Sequence, residues 1–139
     1  MSQFEAFMKG NRKAKEEKEY APTRAFTDKN GEPLKWRFRP ISSKDFEQLK
    51  SDCTKQIVTK KGASAKVDAK ELNSQLIAAC TVFPNLYDAE LQESYGVTNP
   101  SELLFELVND PGEYTDLTSF IQELCGFDRF SDLVEEAKN

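Results

Sequence analysis

The chain has 139 residues, enough for one core but crowded for two, and its ten Phe, four Tyr and one Trp exclude a wholly disordered protein. With no histidine and three scattered cysteines (Cys53, Cys80, Cys125), it cannot supply the usual zinc ligand pairs or a Ser-His or Cys-His nucleophile. The formal charge of −5 argues against a nucleic-acid binder.

Residues 1–22 read as an N-terminal helical arm, with Phe4, Phe7 and Met8 at i, i+3 and i+4 followed by a mixed charge run. Residues 23–139 read as a single globular domain. It opens with a β-hairpin over about 23–40, in which TRAFT is one strand, DKNGEP the turn and LKWRFRP the other strand. In the second strand Leu34, Trp36 and Phe38 alternate with Lys35, Arg37 and Arg39, giving one apolar and one basic face.

A bundle of short helices over about 42–139 follows. Ser42-Ser43-Lys44-Asp45 carries capping chemistry, and Phe46, Leu49 and Cys53 form a stripe. Gln56 to Ala65 is ambiguous, QIVT suiting a short strand and KKGASAK a flexible basic loop. Asp68 with Glu71 starts a core helix whose Leu72, Leu76, Ile77, Cys80 and Phe83 keep helical spacing as far as Pro84. Asn85 is placed to cap a short helix through Leu91 that Gly96 closes. Asn99-Pro100-Ser101-Glu102 starts the next, with Leu103, Leu104, Leu107 and Val108 inward and Asp110-Pro111-Gly112 as its break. Tyr114, Leu117, Phe120, Ile121, Leu124 and Cys125 mark a longer helix ended by Gly126, and Phe130, Leu133, Val134 and Ala137 a last short one. The expected class is mainly α (α+β), an N-terminal β-hairpin followed by a compact helical bundle.

Charge is divided along the chain. Residues 1–66 hold 16 Lys and Arg against 9 Asp and Glu, a surplus of +7, whereas residues 67–139 hold 3 against 15, or −12. This division fits packing of the two halves within one copy, packing against the acidic half of a neighbouring copy, or an acidic surface that holds a basic partner in solution. The sequence has no phosphate-binding loop and no dinucleotide-binding turn, so no catalytic, metal or cofactor-binding residues are assigned. It also has no apolar run near the ~18–20 residues of a membrane span and no signal-peptide pattern, so the expected location is the cytoplasm, with no membrane partner.

The run LIAACTVFPNLYDAELQESYGV, containing Pro84, Asn85, Leu86 and the segment Leu91 to Val97, resembles the XkdN-like tail assembly chaperone family of phages and defective prophages of Gram-positive bacteria. Further blocks are similar and occur in the same order: GEPLKWRFRPIS, Leu103-Leu104, Gly112-Glu113-Tyr114 and Gly126-Phe127. The resemblance implies a non-enzymatic cytoplasmic protein that binds the long helical tape measure protein, keeps it soluble, assists assembly of the tail tube protein around it, and is absent from the mature virion. On this reading Phe4, Phe7, Met8, Trp36 and Phe38 are candidate contacts to a client or to the chain itself, and self-association is a further expectation. Pro84, Leu91, Tyr95, Gly96, Gly112, Tyr114, Gly126 and Phe127 are family-motif positions with structural roles. The alternative from another class is an acidic regulatory adaptor for a basic or nucleic-acid-binding protein, which predicts steeply salt-dependent binding.

Overall fold

A computed structural model describes residues 3–127. Three short strands form an antiparallel sheet of order β1-β2-β5, from Lys18–Tyr20 (β1), Trp36–Phe38 (β2) and Thr81–Phe83 (β5). A separate hairpin pairs Thr54–Thr59 (β3) with Gly62–Val67 (β4). Five α-helices complete the described residues: Ser43–Asp52 (α1), Ala69–Cys80 (α2), Ala89–Ser94 (α3), Pro100–Leu107 (α4) and Pro111–Leu124 (α5). The mixed α+β class is as the sequence pattern indicates.

The helix starts follow side-chain chemistry. The side-chain oxygens of Ser42, Asp68, Asp88 and Asn99 accept from the backbone N–H three residues on, at 2.8–3.1 Å, each satisfying a donor that the first helical turn leaves unpaired. Pro100 and Pro111 occupy first-turn positions, where a missing N–H costs nothing. Helix α2 is central. Its Leu76, Ile77 and Cys80 are buried against Leu103, Leu104 and Leu107 of α4 and Leu117 and Ile121 of α5, each large apolar side chain contributing about 1.5–3 kcal/mol by burial.

Several expected boundaries move. Over residues 3–22 there is no continuous helical arm: Glu5–Phe7 and Lys9–Asn11 are 3₁₀ turns, and Lys18–Tyr20 is a strand. Phe4, Phe7 and Met8 give too short an apolar stripe to support a longer helix. Tyr20, by contrast, stacks on Phe120 at 4.4 Å between ring centroids, which draws its segment into the sheet. The chain does reverse at Asn30-Gly31, where Gly31 has φ +79° and the Asp28 carboxylate accepts from the Asn30 and Glu32 amides. Only a Thr27–Pro33 bridge flanks that turn, however, and the strand paired with Trp36–Phe38 is Lys18–Tyr20 rather than TRAFT. Leu34, expected on the buried face, is exposed.

The KKGASAK segment is not a loop but the turn and second strand of the β3–β4 hairpin. Helix α2 stops at Cys80, and Thr81–Phe83 pairs with β2, leaving Phe83 exposed instead of continuing the helical stripe. The cap of α3 is Asp88, not Asn85, and Leu86 is buried ahead of the helix. Asp110-Pro111-Gly112 ends α4 and also starts α5. The expected last helix, with Phe130, Leu133, Val134 and Ala137, lies outside the described residues.

Candidate functional site

The fold sorts the expected contact residues into two groups. Trp36 and Phe38 are 4% and 0% exposed, with their rings 6.0 Å apart and Phe38 packed edge-on against Phe120 at 5.4 Å. They hold the sheet to the helices, and the contacts seen for them are within the chain itself. Their face is buried because α5 presents Phe120 and Tyr20 closes the side. Phe4, Phe7 and Met8 remain 59%, 85% and 53% exposed, outside the core cluster, on turns that include a bond from Asn11 Nδ2 to the Glu5 carbonyl at 2.7 Å.

The structure adds apolar surface that sequence reasoning missed. Val82 and Phe83 of β5 and Tyr87 beyond it are exposed around a cis Phe83–Pro84 peptide, and the Arg37 guanidinium lies 5.5 Å from the Phe83 ring. Helical spacing concealed this patch, because Phe83 continues the α2 pattern until the chain enters the sheet. An open groove of about 300 Å³ runs between α1, α2 and α5, with Phe46, Leu72, Leu76 and Phe127 among its walls. Phe127 sits at its end, its ring 5.0 Å from that of Phe46.

The LQESYGV stretch has a clear geometric role. Gln92 Nε2 donates to the Leu86 carbonyl at 2.8 Å, tying the helix to the buried turn before it. Gly96 takes φ +67°, its N–H bonds the Glu93 carbonyl, and the Val97 N–H bonds the Gln92 carbonyl at 3.1 Å. That paired closure satisfies the last carbonyls of the helix. Leu91 and Tyr95 pack on the core from the same turn, and Pro84 ends β5. Gly126 has φ +86° just past α5, whereas Gly112 lies in the first turn of α5 with no positive φ.

The Gly112-Glu113-Tyr114 block joins distant parts of the chain. Glu113 Oε1 accepts from the buried Thr23 hydroxyl at 2.8 Å, and its Oε2 accepts from the Arg24 amide at 2.9 Å. The Tyr114 ring stacks on Phe105 at 4.9 Å, and its hydroxyl accepts from Asn73 Nδ2 at 3.3 Å. Burial raises the Tyr114 pKa and, with Asp116 and Glu113 nearby, that of Tyr20. No sequence signal indicated that Glu113 would meet residues 90 positions away.

Cys80 and Cys125 come together with their sulfurs 3.7 Å apart. Cys125, the more exposed, is held down to about 7 by its hydrogen bond with the Cys80 thiol, with the Ile41 amide and Lys15 helping against burial. Cys80 is pushed up, chiefly by its hydrogen bond with Cys125 and then by burial. Among the described residues no group of three or more His, Cys, Asp or Glu side chains is arranged to hold a metal ion, and no helix is long and apolar enough to cross a membrane.

Three comparisons bear on this geometry. A family model described as phage XkdN-like tail assembly chaperone protein matches residues 4–138. Two proteins of Bacillus subtilis (strain 168) are similar along nearly the whole chain. YqbN is 30% identical and the phage-like element PBSX protein XkdN 28% identical, each over 135 residues covering 96% of this chain and 91% of the relative. The crystal structure of a YqbN protein superposes with a TM-score of 0.76 at 22% identity, covering 91% of this chain and 98% of that one, a likeness of fold.

Proposed function

Since the chain belongs to the XkdN-like phage tail assembly chaperone family, we propose that it binds the tape measure protein through apolar side chains and keeps that long helical chain soluble while the tail tube protein assembles around it. The observation that carries this reading is the apolar surface exposed among the described residues: Phe7 and Met8 near one end of the chain, and Val82, Phe83 and Tyr87 around the cis proline. Exposed apolar surface rimmed by charge suits an amphipathic helical client, and a protein that only needed to be stable would have little use for it. Binding takes place in the host cytoplasm and calls for no catalytic step.

The test is co-expression with the tape measure protein from the same phage or prophage, followed by pull-down at low and moderate salt. Soluble recovery that depends on this chain, survives salt and falls when Phe4, Phe7 and Met8 or Val82 and Phe83 are changed to Ser supports the proposal. A complex that dissolves at moderate salt and ignores these substitutions supports the acidic adaptor instead. No complex and no gain in solubility sinks the tape measure reading.

A further inference from the structure

The three cysteines are scattered in the sequence, and the fold treats them differently. Cys53 is buried, and burial pushes its thiol up, with Glu71, Asp52 and Asp68 adding to the shift. A thiol so placed stays protonated and inert. Cys80 and Cys125 are 45 positions apart in the chain, yet their sulfurs meet at 3.7 Å. Each closes a helix: Cys80 is the last residue of α2, and Cys125 stands just past α5.

A third segment completes this junction. Beyond β2 the chain passes the end of α2, where the Arg39 amide donates to the Cys80 carbonyl at 2.8 Å. The Ile41 amide, two residues on, bonds the thiol pair. Lys15 reaches the same place, its Nζ donating to the Ile41 carbonyl at 2.7 Å. Cys125 therefore has a thiol, an amide N–H and a cation around it, surroundings that favour a thiolate. It is half-buried where Cys80 is buried, so it is the sulfur of the pair that a small solute reaches first.

We propose that Cys80 and Cys125 form a peroxide-sensitive dithiol, Cys125 attacking and Cys80 resolving, that oxidises to a disulfide joining the ends of α2 and α5. The Cys125 thiolate attacks one oxygen of hydrogen peroxide. The O–O bond breaks, hydroxide leaves and takes up a proton, and Cys125 becomes a sulfenic acid. The Cys80 sulfur then attacks the Cys125 sulfur. The S–O bond breaks, and the departing hydroxide takes the Cys80 proton as water. In sum two thiols give up two electrons and two protons, and one peroxide becomes two waters. The sulfurs of a disulfide lie about 2.0 Å apart, so the pair must close by roughly 1.7 Å from 3.7 Å. Cys125 supplies that movement, because it lies at a helix end, where local opening costs least, with Gly126 following at φ +86°. The bond also bears on the groove between α1, α2 and α5. Leu76 is one turn before Cys80, Gln122 and Phe127 lie on either side of Cys125, and all three line that groove. Oxidation therefore fixes one wall against the other, and a dithiol reductant releases it.

The experiment uses the full reduced chain alone, so it is independent of client binding. The chain is treated with hydrogen peroxide under conditions that oxidise a free dithiol, then read by intact mass and non-reducing peptide mapping. The expected result is a loss of about 2 Da within one chain, a Cys80–Cys125 cross-linked peptide, a free Cys53 thiol, and full reversal by dithiothreitol. Cys80→Ser should abolish the cross-link and leave a Cys125 sulfenic acid that dimedone traps. Cys125→Ser should slow thiol oxidation by at least about tenfold. Circular dichroism checks that each variant is folded, and the peptide map of the unaltered chain decides the matter even if one is not. A chain that stays reduced overturns the inference. So does a first disulfide that involves Cys53 or links two copies, or a Cys80→Ser variant whose dimedone adduct falls elsewhere than Cys125.

Discussion

Removing the Glu113 carboxylate tests how the N-terminal segment is attached to the helices. Glu113 accepts two hydrogen bonds, from a Thr23 hydroxyl that is 3% exposed and from the Arg24 amide, which faces solvent. A hydrogen bond to a charged acceptor contributes about 1.5–3 kcal/mol when its partner cannot turn to water. Water can replace Glu113 at the Arg24 amide, so the buried Thr23 hydroxyl dominates, and Glu113→Ala should cost about 2–3 kcal/mol. For a chain of this length that is a fall in Tm of roughly 6–12 °C. Glu113→Gln keeps an acceptor for Thr23 and should cost about 1 kcal/mol. Thermal and urea unfolding of Glu113→Ala, Thr23→Ala and the double variant give the coupling directly, expected at about 1 kcal/mol or more. Additive single effects, or a Glu113→Ala variant within about 0.5 kcal/mol of the unaltered chain, would refute the view that this bond pins residues 20–24 to α5.

Three further outcomes follow from the geometry. Gly96→Ala places a Cβ in open space but at φ +67°, so its cost is backbone strain alone, about 1–2 kcal/mol by urea unfolding; a neutral result would mean the α3 closure is not held left-handed. Cys125 should be the first thiol alkylated in the folded protein, with a rate inflecting near pH 7, as read by peptide mass spectrometry; an inflection in the ordinary thiol range near ~8.5 counts against the Cys80–Cys125 pairing. Asp68 is held below the usual carboxylate range, first by the Glu71 amide and then by Lys55. The unfolded chain therefore takes up that proton first as pH falls, and the contribution of Asp68 to stability is full above about pH 4 and lost as pH drops through the lower folded value. Asp68→Asn should flatten that part of the pH–Tm curve, and an unchanged slope would show that Asp68 is not its source.

What could be read from the sequence was mostly local. The capping side chains of Ser42, Asp68 and Asn99, and the closing glycines Gly96 and Gly126, act within a few residues of where they stand, so their chemistry predicts their positions. The errors arose where a distant partner overrode local preference. Lys18–Tyr20 lies in a charge run with no strand pattern, and becomes a strand because Tyr20 finds Phe120, 100 residues away. Phe83 keeps helical spacing, yet β2 offers Arg37 and Phe38 as ladder partners and the chain leaves the helix. The alternation of Trp36 and Phe38 correctly marked one side of their strand as apolar, but nothing in their spacing could indicate that the same molecule covers it. The surface exposed around Val82, Phe83 and Tyr87 was hidden for the same reason.

The uneven charge along the sequence now has a spatial meaning. If the basic half folded onto the acidic half mainly through ion pairs, those pairs would span the division near residue 66. Among the described residues, the pairs that cross it are those of Lys55 with Asp68 and Glu71, close to the division itself. The bonds of Glu113 to Thr23 and Arg24 also cross it, and they use a hydroxyl and an amide rather than a cation. The halves are joined by the β2–β5 ladder and by Phe38, Trp36 and Tyr20 packing on the helices, which are indifferent to charge sign. Segregated charge that the protein does not neutralise within itself costs some self-repulsion and remains available to act between molecules. The basic hairpin and the acidic helices are therefore better understood through what they meet than through what they stabilise.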